Sequence, residues 1–176
     1  PGDRVLALAL NSKAFLLAWF ATQKRGAIFV PINTELKGAF LEHQVRNAEP
    51  RVVMVDEELR PSFDSISIDG VPIETTVPLS GELAPLPGTR LVDFDALCAT
   101  PARPEDILPA GPETLCTIMY TSGTTGPSKG VLMPQGHCYT FGQNMARAFE
   151  MTEDDKMFIC MPFFHAMGLT IQFVGC

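Results

Sequence analysis

Positive charge is scarce in this sequence: 13 Lys and Arg stand against 20 Asp and Glu, a net charge of −7. A general nucleic-acid binder needs an excess of cations to displace counterions, so the balance excludes that class for the chain as a whole. One nucleotide held in a local pocket stays open, because backbone amides can supply the positive field there. No CxxC pair occurs among Cys98, Cys116, Cys138, Cys160 and Cys176, and the number is odd. Neither a zinc knuckle nor a disulfide framework is indicated, and the expectation is free, mostly buried thiols in a reducing cytoplasm. His137 beside Cys138 has no second pair to complete a metal site. No apolar run approaches the roughly 20 residues of a membrane span, since Lys13, Lys24 and Arg25 interrupt the longest one. The chain lacks an initial Met, a basic-then-apolar leader and a capped last element, which together suggest a piece of a longer protein.

What is present is enough apolar residue, 46% of 176, for one domain with a sizeable core. VLALAL (5–10) reads as a strand buried on both faces. Asn11 or Ser12 can cap a helix in which Phe15, Ala18, Trp19 and Thr22 keep three-and-four spacing. Lys24 and Arg25 suit its last turn and Gly26 its end. AIFVPI (27–32) is a second buried strand, GAFLEHQVRNAEP a second helix stopped by Pro50, and RVVMVD (51–56) a third strand. Strand, helix, strand, helix, strand predicts an α/β fold, a parallel sheet flanked by helices. Along that second helix Glu35, Glu42 and Glu49 read as a solvated face, and Trp19 reads as packing.

Prolines at 61, 72, 78, 85, 87, 101, 104, 109 and 112 make the stretch 61–113 an irregular bridge with edge strands. Within it, LVDFDALC can form a short strand running into a helical turn. Order returns with TLCTIMYTS (114–122) as a strand, then VLMP, a helix over 135–149, KMFICMPFF (156–164) as another strand, and HAMGLTIQF opening a further helix.

Between two of those strands lies YTSGTTGPSKG (120–130). Gly123, Gly126 and Gly130 let consecutive backbone N–H groups approach a ligand without a Cβ in the way. Thr121, Ser122, Thr124, Thr125 and Ser128 add hydroxyls, and Lys129 adds a mobile cation. That chemistry suits a polyphosphate. The pattern is not the P-loop, which needs Gly before the Lys and Ser or Thr after it, and Gly123 and Gly126 do not fit GxGxxG. On residue types alone, a glycine-rich surface turn stands as the alternative.

MYTSGTTGPSKGVLMPQGH strongly resembles the signature segment of the adenylate-forming, or AMP-binding, superfamily, which includes acyl- and aryl-CoA synthetases, luciferases and peptide-synthetase adenylation domains. The usual form is YTSGTTGxPKG; here Pro127 and Ser128 are shifted by one place while both glycines and Lys129 stay in register. GDRVLALALNSKAFLLAWFATQKRGAIFVPINTELKG and MPFFHAMGL resemble further family blocks, so the likeness spans most of the chain and is weakest over 60–113. The resemblance implies part of an AMP-binding N-terminal domain over 1–176: a βαβαβ segment (1–60), the bridge (61–113) and the phosphate-binding segment (114–176), with the C-terminal domain absent. It implies ATP-dependent activation of a carboxylic acid to an acyl-adenylate, then transfer to CoA, with Mg2+ accompanying ATP. No carboxylate in the chain is assigned to that magnesium.

In that reading Thr121, Ser122, Gly123, Thr124, Thr125, Gly126, Ser128 and Gly130 hold the triphosphate, and Lys129 and His165 act in catalysis. Phe163, Phe164 and Met167 suit the border of the acyl pocket and a core equally, while His43 and His137 carry no role. GAIFVPINTELKGAFLEHQVRNAEP looks most like the crotonobetaine/carnitine-CoA ligase group and its short- and medium-chain relatives. FFH, in place of an acidic start to its block, argues against amino-acid adenylation. The family's adenine-binding block, ribose-binding aspartate, hinge and C-terminal lysine are not found, so the chain alone is expected to be inactive. A second hypothesis is a binding module that holds nucleotide phosphates without chemistry. Exposed sheet edges leave a homo-oligomer open.

Overall fold

The computed structural model describes residues 1–121 and 126–176. Strand β1 (Arg4–Leu8) lies at the centre of a seven-stranded sheet of order β5-β4-β3-β1-β2-β6-β7. Beside it run β2 (Ile28–Pro31) and β3 (Val52–Asp56), both parallel to it. β4 (Thr75–Ser80) and β5 (Arg90–Leu91) extend one side in parallel, β6 (Leu115–Tyr120) extends the other, and β7 (Gly130–Pro134) closes that edge antiparallel to β6. The sheet is thus mostly parallel, as the strand–helix alternation predicts, with one antiparallel hairpin added.

Helix α1 (Lys13–Lys24) is capped by Ser12, whose Oγ accepts from the Phe15 amide at 3.1 Å, and Gly26 turns the chain out with φ +64. Its Phe15, Ala18 and Trp19 join the cluster on one face of the sheet. The indole of Trp19 also donates to Thr117 Oγ1 of β6 at 3.0 Å, tying the helix to a strand 98 residues away. Helix α2 (Gly38–Ala48) packs Leu41 and Val45 on the opposite face with Leu6, Leu8, Val30, Val53 and Val55. Alternate residues of β1 therefore feed different cores, which is why the strand reads as an unbroken apolar run. Glu49 ends α2 in the left-handed region at φ 46, where Arg4 donates to the Ala48 and Glu49 carbonyls at 2.9 and 2.8 Å. Glu42 pairs with Arg46 at 2.9 Å, and that partner, with the Ser67 amide, holds its carboxyl below the usual range.

The proline-rich stretch is more ordered than expected. A 3-10 helix (Glu57–Ser65) leads to β4, and the short strand and turn foreseen around LVDFDALC are β5 and α3 (Phe94–Ala99). Pro78 sits inside β4, yet β5 pairs only with Thr75 and Thr76, so β4 is a free edge where Pro78 lacks its N–H.

Two expectations need correction. KMFICMPFF forms no strand: Met157, Ile159 and Met161 are half-buried while Phe158 and Cys160 are exposed, the alternation of an extended chain, but no strand among the described residues pairs with it. Nor are the thiols mostly buried, because Cys98, Cys160 and Cys176 are exposed and only Cys116 and Cys138 are inside. Those two sulfurs lie 3.5 Å apart between β6 and helix α4 (Gln135–Ala148). Cys116 donates to the Met133 carbonyl, so Cys138 donates to Cys116; that bond and burial push the Cys138 thiol far up. After the extended segment a wide π-type helix (Met167–Phe173) packs against α4. A Cβ on Gly142 would come within 2.7 Å of the Val174 carbonyl carbon, so glycine there permits the close approach.

Candidate active site

Parallel sheets offer ligand sites beyond the carboxyl ends of their strands. There, the ends of β1, β3 and β4 are knitted by buried Asp56, which accepts from the Leu10 amide and from Ser80 Oγ, both at 2.7 Å. Asn11, just past β1, grips the extended segment instead of a neighbouring strand. Its Nδ2 donates to the Met161 carbonyl at 2.9 Å and its Oδ1 accepts from the Phe163 amide at 2.7 Å. Phe163 is thereby driven into the core, 5.5 Å from the Phe15 ring, while Phe164 and His165 face a cavity. Phe163 and Met167 are not on its wall, which corrects that part of the pocket expectation. The sequence offers Asn11 as a helix-cap alternative; its place directly after a buried strand is the signal for this second part.

The glycine-rich segment leaves the end of β6. Thr121 N–H donates to the Lys129 carbonyl at 3.0 Å, and Lys129 N–H donates to Thr121 Oγ1 at 3.3 Å, closing a neck. Ser122, Gly123, Thr124 and Thr125 lie outside the described residues. Among the described residues nothing lies within 4 Å of a Cβ built on Gly126, so no packing contact there demands glycine. Gly130 has a packing reason instead: a Cβ would stand 2.8 Å from Ile118 Cγ2 and 3.6 Å from the Tyr120 ring opposite it in the hairpin. Lys129 is exposed and forms no salt bridge among the described residues.

Ser128 turns the other way, toward α2. Its carbonyl lies 2.9 Å from His43 Nε2, and its Oγ accepts from Gln44 Nε2 at 3.0 Å. A carbonyl can only accept, so His43 carries its proton on Nε2. The expectation that His43 has no part in the site is therefore corrected by placement, since the helix that holds it faces the segment.

Thr121, Gly126, Ser128 and His165, from two distant parts of the sequence, share one cavity of about 610 Å3. Met119, Met133, Phe40, Phe141 and Phe164 make its walls largely apolar. His137 also borders it, its ring 4.3 Å from the Phe141 ring and tilted 57° to it. His165 Nδ1 accepts from the Met167 amide at 3.1 Å, which leaves the ring proton on Nε2. The resulting donor suits a carboxylate or an acyl oxygen. Hydroxyls, a glycine and the adjacent Lys129 fit a triphosphate. Magnesium fits less well, because no Asp or Glu lines the cavity and no cluster of three acidic, His or Cys ligands occurs among the described residues. Tyr120, at the neck, donates to Asn47 Oδ1 at 2.7 Å, and burial pushes its phenol up to about 12.

With a mostly parallel sheet and this segment at its carboxyl edge, the chain belongs to the AMP-binding enzyme family, whose match covers residues 1–176. It is 31% identical over 96% of its length to a feruloyl-CoA synthase of Amycolatopsis, and 32% identical over 96% to an indoleacetate–CoA ligase of Aromatoleum aromaticum. It is 30% identical over 93% to a crotonobetaine/carnitine–CoA ligase of Salmonella agona. The chain spans 30 to 32% of the length of these relatives. Among solved structures, ATP-bound MatB of Rhodopseudomonas palustris superposes with a TM-score of 0.78 at 26% identity, covering 97% of this chain and 32% of that one. No helix among the described residues is long and apolar enough to cross a membrane.

Proposed function

We infer that the whole protein activates a carboxylic acid with ATP and passes the acyl group to CoA. The observation that carries this is the meeting of Thr121, Gly126 and Ser128 with His165 around one cavity. In the first step a carboxylate oxygen attacks the α-phosphorus of ATP; the bond to the bridging oxygen breaks, and pyrophosphate leaves with the electron pair. The obstacle is the approach of two anions. Thr121, the hydroxyls of the neighbouring segment and Lys129 offset charge on the departing phosphates. His165 Nε2–H holds the carboxylate. In the second step the CoA sulfur attacks the acyl carbon, its proton goes to solvent, and AMP leaves.

The acid is one with a largely apolar body, in keeping with the cavity's aromatic and methionine walls. Short- and medium-chain acids and crotonobetaine or carnitine remain in the candidate set; a trimethylammonium group would have to rest on Phe40, Phe141 or Phe164, because no carboxylate lines the cavity. Chemistry needs parts of the protein beyond these residues, so the segment alone is inactive. It works in the cytoplasm, where ATP and CoA are supplied.

ATP–pyrophosphate exchange by the whole protein against a panel of acids tests the reading, and exchange that depends on one acid is the expected result. Lys129→Ala should slow exchange about a hundredfold while changing AMP binding little, because AMP lacks the phosphates that Lys129 meets. ATP binding without exchange for any acid would instead favour a module that holds nucleotide phosphates and does no chemistry.

A further inference from the structure

Helix α2 presents three residues to the neck of the phosphate-binding segment. Tyr120, the last residue of β6, donates to Asn47 Oδ1 at 2.7 Å. Ser128 receives His43 on its carbonyl at 2.9 Å and Gln44 on its hydroxyl at 3.0 Å. Positions 43, 44 and 47 lie on one side of the helix, and Leu41, Val45 and Ala48 are buried against the sheet. The helix is therefore a fixed platform and the neck leans on it. Gln44 is 5% exposed, and its Oε1 has no partner among the described residues. A buried amide satisfied only through Ser128 is costly to keep for packing alone, since the lone acceptor stays desolvated.

We propose that His43 and Gln44 are positioning residues for the adenylation step: they fix Ser128, and through it the neighbouring Lys129, in register for the phosphates of ATP. The proposal rests on the reading of the protein as an acid-activating enzyme. His43 is not on the cavity wall and Gln44 borders it, but both meet the segment through Ser128. His43 acts through the backbone of Ser128, which a change of side chain at 128 cannot replace, whereas Gln44 acts through the hydroxyl. Their effect belongs to the step in which pyrophosphate leaves, because the phosphate-binding segment has no work once the adenylate exists.

The test compares wild type, His43→Ala, Gln44→Met and His43→Gln in the whole protein, with two activity readouts and one that needs no activity. ATP–pyrophosphate exchange reads the first step. Thioester formation from CoA and synthetic acyl-adenylate reads the second. The rate of tryptic cleavage after Lys129 reads the position of the neck directly. His43→Ala and Gln44→Met should each lower kcat/KM for ATP in exchange by about tenfold, the worth of one lost hydrogen bond. They should leave thioester formation within about twofold and speed cleavage after Lys129. His43→Gln, which keeps an N–H donor, should recover most of both losses. Exchange and cleavage at wild-type rates would overturn the proposal, and so would equal loss of exchange and thioester formation, which marks general damage to the fold. If the wild type exchanges with no acid, the enzyme reading fails, and unchanged cleavage in the variants would then refute the positioning as well.

Discussion

The two ends of this chain hold their shape by different means. From Arg4 to Asp56, β1 pairs with β2 across one helix and with β3 across two, and the side chains alternate between two buried faces. From Leu115 onward, the backbone is held by groups contributed from far away: Trp19 on Thr117, Asn11 on Met161 and Phe163, His43 on Ser128. The first region supplies the central strands of the sheet. The second adds β6 and β7 at one edge and drapes its remaining length over the sheet, with Leu132, Phe149 and Phe158 left exposed. The groups proposed to meet phosphate and carboxylate lie in this second region, so the site depends on contacts reaching back to the sheet.

The sharpest way to break this distinction is at Phe15, which belongs to both regions. Its ring is fully buried, 5.2 Å from Phe29 in the sheet and 5.5 Å from Phe163 in the draped segment. Phe15→Ala should cost about 3–5 kcal/mol by denaturant unfolding, and amide exchange should rise in both regions together. A loss confined to residues around Phe163 would mean that the sheet does not need α1's aromatic contact.

Asn11 separates the regions instead. Asn11→Ala leaves the Met161 carbonyl and the Phe163 amide without their partner, a loss of about 1–3 kcal/mol. Hydrogen exchange should accelerate over 161–169 while β1 to β3 stay protected. Asn11→Asp keeps the acceptor for Phe163 and loses the donor to Met161, so an intermediate effect is expected. Uniform acceleration along the chain would show that the grip supports the whole domain.

The same distinction explains what could be read in the sequence. Runs such as VLALAL and RVVMVD carry their own evidence, because burial on both faces leaves the middle of each strand apolar. The cap at Ser12 and the turn at Gly26 are local as well. In KMFICMPFF the apolar residues are equally dense, yet a strand needs a partner, and the partner here is one asparagine side chain 150 residues earlier. Gly126 and Lys129 were legible as chemistry because their spacing is a motif. Gln44 and His43 were not, since a helix pattern does not say which element will lie against its outer side. Gly130 belongs to the segment's pattern, and the close approach of Ile118 adds a packing reason that the pattern does not show.

Tyr120 gives the smallest effect and reports where the two regions meet. Its hydroxyl donates to Asn47 of α2, and burial raises its ionisation to about 12 from the ordinary value near 10. Across that window the unfolded chain has already released the phenolic proton while the folded chain keeps it. Stability therefore falls as pH rises from about 10 toward 12, and below that window Tyr120 has no effect on the pH dependence. Ultraviolet titration of the phenolate, taken as the difference between wild type and Tyr120→Phe, should show one group ionising near 12. His43→Ala and Gln44→Met should lower that value if the neck moves off α2 and water reaches the ring. An ionisation unmoved in both variants would mean that Tyr120 and Ser128 hold to α2 independently, with the strand end anchored and only the segment beyond it released.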